Sequence, residues 1–241
     1  MQFSLQDLRE FAPYLLAGTW ITIEITLISM FCALLLGLVV GLGRATRLLR
    51  YRIPATLFVD FFRGTPLLLQ IFYIYYALPL FGVQLPSFES GIIALSLNYA
   101  AYLGEVFRAG IQAIPQGQRE AAASLGLSTR LTMRFVILPQ ALRIVIPPIG
   151  NYFIALFKDS ALVSVISITE LLRAGQLLAA TTYKHFEIFT MVAVIYLAIS
   201  YPATWGVAWL ERAMRIGALG ARRRSPLASL AREAKPDVAG Q

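Results

Sequence analysis

The chain has 241 residues, of which 58% are hydrophobic and 14% are charged. This composition is too apolar and too lightly charged for an ordinary soluble domain. The net charge of +8 could suit a nucleic acid. However, the basic residues gather in alternate loops between apolar runs, which favours a membrane protein without a nucleic-acid partner.

Five apolar runs are long enough to cross a bilayer. A transmembrane helix needs ~20 apolar residues, and it must satisfy its own backbone polar groups because lipid offers them no partners. The sequence therefore predicts an all-α integral membrane protein with five transmembrane helices in the lipid bilayer. The predicted spans cover about residues 18–42, 57–80, 91–112, 149–168 and 188–210.

The basic side chains predict the orientation of these spans. Five crossings put alternate loops on opposite sides, and cytoplasmic loops carry an excess of Lys and Arg. We therefore expect the N-terminus outside the cell and the C-terminus in the cytoplasm. The external side holds only Arg9, Arg173 and Lys184. The cytoplasmic side holds Arg44, Arg47, Arg50, Arg52, Arg108, Arg119, Arg130, Arg134, Arg143 and the tail cluster from Arg212 to Lys235.

The chain divides into three predicted parts. Residues 1–13 form an external lead-in with Pro13 just before the first span, and residues 14–215 form the transmembrane domain. Residues 216–241 form a basic cytoplasmic tail whose composition predicts disorder.

Two local patterns occur in individual spans. Ala33, Gly37 and Gly41 recur every fourth residue in the first span, and small residues at this spacing let helices approach closely. We expect them to pack within one subunit rather than between subunits. Pro147-Pro148 suits the start of the fourth span, where a missing backbone N–H costs nothing.

The internal segment 115–146 has the pattern of two short helices around a glycine. Pro115 interrupts the chain after the third span. Residues 118–125 are good helix formers, with Glu120 in the first turn, where a negative charge suits the helix dipole. Gly126 is the expected end of this helix.

A second short helix is predicted after that glycine. Ser128 or Thr129 would cap it, it would extend to Ile137, and Pro139 would bend or end it. The alanines at 121–123 give the first helix a small face that another protein can approach closely. The segment is therefore predicted to form a compact knob at the cytoplasmic surface.

Ionisable side chains within the spans need partners, because a charge near the bilayer centre costs at least ~2.5–3.5 kcal/mol. Asp60 and Arg63 are three residues apart, as are Glu105 and Arg108, so each pair can meet on one helix face. We expect structural or gating ion pairs near the inner interface.

Two further features lie within the spans. The sequence Arg63-Gly64-Thr65-Pro66 predicts a kink at which Pro66 frees a backbone carbonyl. Lys158 and Asp159 are adjacent and point in different directions on a helix, so each needs a separate partner or an aqueous path.

The knob pattern resembles the Glu-Ala-Ala loop of ATP-binding-cassette (ABC) importer permeases. That motif leaves three residues between Glu-Ala-Ala and a glycine, and it closes on Ile-x-Leu-Pro. Here Glu120-Ala121-Ala122 precedes Gly126, and Val136 stands in for the isoleucine before Leu138-Pro139.

Four other motifs resemble the polar amino acid subfamily of these permeases, which includes histidine, glutamine and arginine permeases. The resemblance covers roughly residues 14–215 and implies a type I importer permease fold. The motifs are Phe62-Arg63-Gly64-Thr65-Pro66-Leu67, Asn98-Tyr99-Ala100-Ala101-Tyr102, Ile114-Pro115-Gln116-Gly117-Gln118 and Pro147-Pro148-Ile149-Gly150-Asn151.

The resemblance implies roles for particular residues. Residues 118–127 would be a coupling helix that sits in a groove of a cytoplasmic ATPase subunit. The residues implied in coupling are Glu120, Ala121, Ala122, Leu125, Gly126, Leu138 and Pro139.

The resemblance also places a substrate cavity near Asn98, Ser160 and Glu170. For Glu170, helix capping together with Thr169 is an equally good interpretation. The family pattern Lys-Asp-Thr-Ser-Leu is Lys158-Asp159-Ser160-Ala161-Leu162 in this chain, so one hydroxyl is missing.

The implied partners are two ATPase subunits that hold ATP and Mg²⁺, an external solute-binding protein, and a second permease subunit, identical or paralogous. The expected location is a bacterial inner membrane. The chain has no Gly-x-x-x-x-Gly-Lys-Ser/Thr phosphate loop, so we expect a transport subunit that is not an enzyme and binds no cofactor. One cysteine and one histidine leave no predicted metal site.

Two other functions remain open at this point. An ion- or proton-coupled amino acid carrier would use the embedded Glu24, Asp60, Glu105 and Lys158 as a relay. A membrane scaffold would recruit a cytoplasmic enzyme without moving a solute. The sequence also leaves open which amino acid an importer would carry.

Overall fold

The computed structural model describes residues 5–222, with side chains from 9 to 214, and the described part is built from helices and short connections. Residues 216–222 of the predicted tail continue the last helix, and the rest of that tail lies outside the described residues. The helices are α1 (Leu5–Ala45), α2 (Leu49–Gly64), α3 (Leu67–Phe72), α4 (Ser87–Gln112), α5 (Gln116–Ser124), α6 (Thr129–Thr132), α7 (Leu138–Asp159), α8 (Leu171–Thr182) and α9 (His185–Arg222).

Helix α1 is continuous, so residues 5–13 of the predicted lead-in are its first turns and Pro13 lies inside it. Its small residues pack closely on α4. A Cβ atom added at Gly41 would lie 2.7 Å from the carbonyl oxygen of Gly104. The prediction that the small residues pack within one subunit is therefore confirmed.

Helix α4 is the central helix of the described bundle, in contact with α1, α2, α3 and α7. Leu95, Ala100 and Leu103 are fully buried on it, and the polar Ser96 and Asn98 are buried as well. Because neighbouring helices cover α4, it can carry polar side chains that would be costly on a helix facing lipid.

Contacts along the helices fix their relative directions. Helices α1 and α4 are parallel, because Ser29 contacts Ser96 and Gly41 contacts Gly104. Helix α7 is antiparallel to α4, and α9 is antiparallel to α7. The start of α1 and the end of α9 therefore lie at opposite ends of the bundle. The contacts that fix α7 and α9 join Gly110 to Val145, Tyr99 to Asp159, Gly150 to Val207, and Phe157 to Tyr196.

The predicted second span is not one straight helix. Helix α2 and the helical stretch Leu67–Phe81 meet at an angle of 104°. This stretch consists of α3, a π-helical turn (Tyr73–Ala77) and a 3₁₀ turn (Leu78–Phe81). Pro66 causes the break because it has no backbone N–H to continue α2.

The predicted fourth span begins earlier than expected. Pro147 and Pro148 lie inside α7 rather than at its start, and helical structure extends back to Thr129. Pro139 does not end the second helix of the knob, because it lies in the first turn of α7, where no helical N–H is required. A π-helical turn, Met133–Ile137, precedes it.

Within the described residues, three helical stretches are long and apolar enough to cross a membrane, namely Arg9–Ala45, Thr129–Ile166 and His185–Met214. The bent pair, Leu49–Gly64 with Leu67–Phe81, makes a fourth if it is counted as one span. The predicted third span corresponds to α4, which is not among these stretches.

Candidate functional site

We call residues 116–132, which comprise α5, α6 and the turn between them, the knob. Gly126 ends α5 with a left-handed backbone (φ 72°). Its N–H donates to the carbonyl of Ala123 (2.9 Å), and the N–H of Leu127 donates to that of Ala122 (3.1 Å). This pair of hydrogen bonds is a Schellman motif. The prediction that Gly126 ends the helix is confirmed.

The two short helices begin differently, because α5 has no side-chain cap at its N-terminus and α6 has one. Helix α5 follows Pro115 and begins at Gln116, so Glu120 lies beyond the first turn in which it was predicted. Of the two predicted caps of α6, it is Ser128 whose side chain accepts a hydrogen bond, from the N–H of Leu131 (3.4 Å). The geometry of the knob is therefore fixed locally.

A buried apolar cluster forms the base of the knob. Ile111 and Ile114 come from the end of α4 and the residues after it, and Ile137 and Ala141 come from the π turn and the first turns of α7. Arg119 of α5 donates from Nη2 to the carbonyl of Ile111 (3.2 Å). The knob is therefore fastened to the ends of two long helices at once.

The residues implied in coupling differ in exposure. Ala122 is buried, whereas Glu120, Ala121, Leu125, Gly126, Leu138 and Pro139 are exposed. The sequence analysis did not identify Leu131, Phe135 and Leu142, which are also exposed apolar side chains in this region. Their signal was the helical spacing of residues 131, 135, 138 and 142.

Side-chain amides supply the hydrogen bonds that the backbone lacks at the break between α2 and α3. Pro66 cannot donate to the carbonyl of Phe62, as a helical residue four positions later normally would. That carbonyl instead accepts from Gln70 Nε2 (2.9 Å) and Asn98 Nδ2 (3.1 Å). Gln70 also donates to the carbonyl and hydroxyl of Thr65, and Asn98 donates to Gln70 Oε1 (3.0 Å). Gln70 was not identified from the sequence, although the orphaned carbonyl implied a buried donor.

A cavity of about 510 Å³ lies between the end of α2, α4 and α7. Arg63, Asp159 and three tyrosines line it, together with Asn98. The Asp159 carboxylate accepts a hydrogen bond from Tyr99 (2.7 Å). The Arg63 guanidinium lies over the ring of Tyr102, 5.3 Å from its centroid. The cavity therefore presents a positive and a negative group to one shared space.

Two of the three predicted cavity residues are not in this cavity. Ser160 is fully buried and donates to the carbonyl of Phe157 (2.8 Å). Glu170 is fully buried and caps α8 by accepting from the N–H groups of Leu172 (2.8 Å) and Arg173 (2.7 Å). Both side chains bond to the backbone, and Glu170 also accepts from the Tyr196 hydroxyl (3.1 Å). The capping interpretation of Glu170 therefore fits the structure, and the cavity interpretation does not.

The predicted ion pairs are partly present. Glu105 contacts Arg108 on the same helix and also Arg44 at the end of α1, a partner the sequence did not predict. In the part of the chain with described side chains, no ion pair joins Asp60 to Arg63. Asp60 is exposed, and Arg63 instead stacks on an aromatic ring.

The two adjacent charges at the end of α7 are separated as expected from their spacing. Asp159 lines the cavity, whereas Lys158 is exposed and is not among the cavity residues. Of these two side chains, only Asp159 is placed to meet a ligand in the cavity.

Comparison with known proteins identifies the class of this chain. The family of binding-protein-dependent transport system inner membrane components matches residues 33–216. The chain belongs to this family and is therefore an inner membrane transport component rather than an ATPase.

The similar proteins are permeases of amino-acid transporters. The probable amino-acid ABC transporter permease protein y4tG of Sinorhizobium fredii (strain NBRC 101917 / NGR234) is 41% identical over 192 residues, which is 80% of this chain and 83% of that protein. The glutamine transport system permease protein GlnP of Escherichia coli (strain K12) is 36% identical over 218 residues, which is 90% of this chain and 100% of GlnP.

A solved structure has a similar fold and sequence. In a crystal structure of an amino acid ABC transporter with histidines, one chain is 35% identical and superposes with a TM-score of 0.83. The match covers 88% of this chain and 99% of the other.

We predict that Gln70→Met weakens the fold, because methionine fills a similar volume but cannot donate to the Phe62 and Thr65 carbonyls. The expected loss is about 1–3 kcal/mol, measured as a lower melting temperature of the detergent-solubilised chain. Gln84→Met is the matched control, because Gln84 is exposed in the connection before α4, and this change should have little effect. A Gln70→Met protein as stable as the wild type would show that the amide is not needed to close the break.

Proposed function

We propose that this chain is the membrane-spanning subunit of an ATP-driven importer of a polar amino acid. The observation that carries the proposal is the knob, a capped pair of short helices fastened to the ends of α4 and α7. Its sequence resembles the Glu-Ala-Ala loop, and the chain belongs to a transport family whose similar members are amino-acid ABC permeases.

We further propose five membrane crossings with the N-terminus outside and the C-terminus in the cytoplasm. The four apolar stretches and α4 would make the five spans. Because α4 is covered by other helices, it can cross with fewer apolar residues than a span that faces lipid. The start of α1 and the end of α9 lie at opposite ends of the bundle, which supports an odd number of crossings. One end of the bundle carries an excess of arginine, which supports its cytoplasmic placement. These arginines are Arg44, Arg108, Arg143 and Arg212.

In the proposed mechanism, each of two ATPase subunits holds one knob in a groove. ATP and Mg²⁺ would bind to the ATPases, and closure of their dimer would move the knobs. Because buried Ile111 and Ile137 join the base of the knob to α4 and α7, these helices would tilt with it. The implied coupling residues would form the contact, and Leu125 among them is exposed at 80%.

The remaining partners follow from the same proposal. An external solute-binding protein would deliver the amino acid, because members of this family are components of binding-protein-dependent transport systems. A second permease subunit, identical or paralogous, would complete the path through the membrane. Neither partner is specified further by the residues of this chain.

The cavity suggests how an amino acid would be recognised. A free amino acid carries a carboxylate and an ammonium group. Arg63 would bind the carboxylate, and Asp159, held by Tyr99, would bind the ammonium group. Similar proteins named for glutamine and a structure with histidines have nearly equal identity to this chain, so identity alone does not select the side chain.

The carrier alternative has less support. Its proposed relay contains Glu24, Asp60 and Lys158, which are exposed, whereas Glu105 is occupied by two arginines. The cavity lined by Arg63 and Asp159 contains none of these four groups. The similarity to ABC permeases also favours the importer.

The coupling role predicts that Gly126→Val abolishes uptake, because a β-branched residue is strained at a positive φ and the turn of the knob would change. Uptake of radiolabelled amino acid is measured in proteoliposomes with the ATPase and the binding protein. We expect a loss of more than about tenfold, comparable to removal of one essential interaction. Affinity of the amino acid for the binding protein should not change.

Gly117→Ala is the matched control, since that glycine is equally open to solvent but lies in α5 without a positive φ. Labelling of Ser124→Cys by an impermeant maleimide should occur only from the cytoplasmic side. Wild-type uptake by Gly126→Val, labelling from outside, or uptake driven by a proton gradient without ATP would each contradict the proposed function.

The cavity proposal predicts that Asp159→Asn and Arg63→Gln weaken amino acid binding by about tenfold or more, because each removes a charged hydrogen bond worth about 1.5–3 kcal/mol. Binding of glutamine and histidine to the purified permease–ATPase complex is measured by calorimetry without the binding protein. Lys158→Gln is the control, because this neighbouring charge does not line the cavity. Unchanged affinity in both cavity variants would refute this assignment while leaving the coupling role intact.

A further inference from the structure

A second cavity, of about 500 Å³, lies between the end of α1 and the start of α2. We call it the α1–α2 groove. Its walls are almost entirely apolar, and they include Val39 and Leu42 on α1 and Tyr51, Pro54 and Phe58 on α2. None of the residues assigned above to coupling or to substrate lines it.

The floor of the groove is part of the packed protein. Val40 and Val59 are buried in one cluster with Ala101 of α4, and Ala55 and Phe58 pack against it. The two helices approach closely, since a Cβ added at Gly43 would lie 3.2 Å from that of Ala55. The groove is therefore a preformed feature of the fold. Its outer edge is open, with Val39 exposed at 66%.

Positive charge surrounds one end of this groove. The turn between α1 and α2 and the first turn of α2 carry exposed Arg47, Arg50 and Arg52. The Arg50 guanidinium lies over the ring of Tyr51, 4.7 Å from its centroid, and Tyr51 itself lines the groove. At least one cation is thus positioned directly beside the apolar walls.

A polar group lies at the same end. The Thr46 hydroxyl lines the groove and accepts a hydrogen bond from the N–H of Leu48 (3.3 Å), so its own proton can be donated to an anion. Arg44, by contrast, is engaged by Glu105 and is not available. The free donors at the groove are therefore Thr46 and the exposed arginines.

We propose that the α1–α2 groove binds an anionic phospholipid. One acyl chain lies along the apolar walls, and the phosphate is held by Arg47, Arg50 and the hydroxyl of Thr46. An apolar slot with cations and a hydroxyl at one end matches this amphipathic ligand in both shape and charge. Basic pockets between spans are typical sites for anionic headgroups.

The inference does not depend on the transported solute or on the ATPase. In the five-span arrangement proposed above, the basic end of the groove would face the cytoplasmic leaflet. The lipid would then brace α1 against α2.

Tryptophan quenching by brominated lipids tests this proposal on the full chain in vesicles. Trp20, Trp205 and Trp209, which are all exposed, are replaced by phenylalanine, and Tyr51→Trp places a single reporter in the groove. Vesicles contain brominated phosphatidylglycerol or brominated phosphatidylcholine in otherwise identical mixtures. A chain that keeps only Trp20 on α1 is the control reporter.

The expected result at the Tyr51→Trp reporter is a preference of about fivefold or more for phosphatidylglycerol, since one arginine near an anionic surface contributes about this factor. Trp20 should show little preference. Equal quenching by the two lipids, or an equal preference at both reporters, would overturn the proposal. No quenching at all would indicate that a protein surface covers the groove, and it would overturn the proposal as well.

A second measurement uses the chain with its native tryptophans and Tyr51 in place. Mass spectrometry of the purified chain should detect retained phosphatidylglycerol, and Arg47→Gln with Arg50→Gln should reduce it severalfold. Arg143→Gln with Arg212→Gln removes the same charge elsewhere at the basic end and should leave it unchanged. The corresponding lysine variants at 47 and 50 should retain most of the lipid. Equal retention in the two glutamine double variants would show that only the net charge matters, and it would overturn the proposal.

Discussion

The buried cluster of Ile111, Ile114, Ile137 and Ala141 is the contact on which the rest of the account depends. It joins the end of α4 to the first turns of α7, and the knob is held against this base by the Arg119 hydrogen bond. A knob on a flexible loop could bind a partner, but it could not move the helices behind it. Close packing of apolar side chains is what makes two helix ends move as one body.

Helix α4 connects this base to the other polar features of the bundle. Asn98, in its middle, closes the break at Pro66, and Tyr99 next to it holds Asp159 in the cavity. A tilt of α4 would therefore act on the bend and on the cavity together. The polar residues that make this possible also make α4 the least apolar of the proposed spans, which is tolerable because other helices surround it.

Local features of the structure could be predicted from the sequence. The helix end at Gly126 and the cap at Ser128 depend on residues within one or two turns, so their chemistry is visible in the chain. The break at Pro66 was predicted, but its angle and the role of Gln70 depend on which donors lie nearby in space. The early start of α7 was missed because tertiary packing and the π turn let the helix continue past three prolines.

Long-range pairings could not be predicted in the same way. Arg44 is 61 residues from Glu105 in sequence, and only the parallel packing of α1 on α4 brings them together. The spacing of Glu105 and Arg108 predicted one partner of Glu105, but it gave no indication of the other, Arg44. Glu170 illustrates a different difficulty, because a carboxylate suits both a helix cap and an ammonium ligand, and only its burial decides between them.

The rigid attachment of the knob is tested most directly by distances between spin labels in the reconstituted importer. One label replaces Ser124 on the knob, and its partner replaces either Glu89 at the far end of α4 or Leu80 near the end of the bent span; all three positions are exposed. When ATP binds, the account predicts that the Ser124–Glu89 distance stays constant within about 1 Å, as in other rigid elements, while the Ser124–Leu80 distance changes. A change in the Ser124–Glu89 distance, or no change in either, would contradict it.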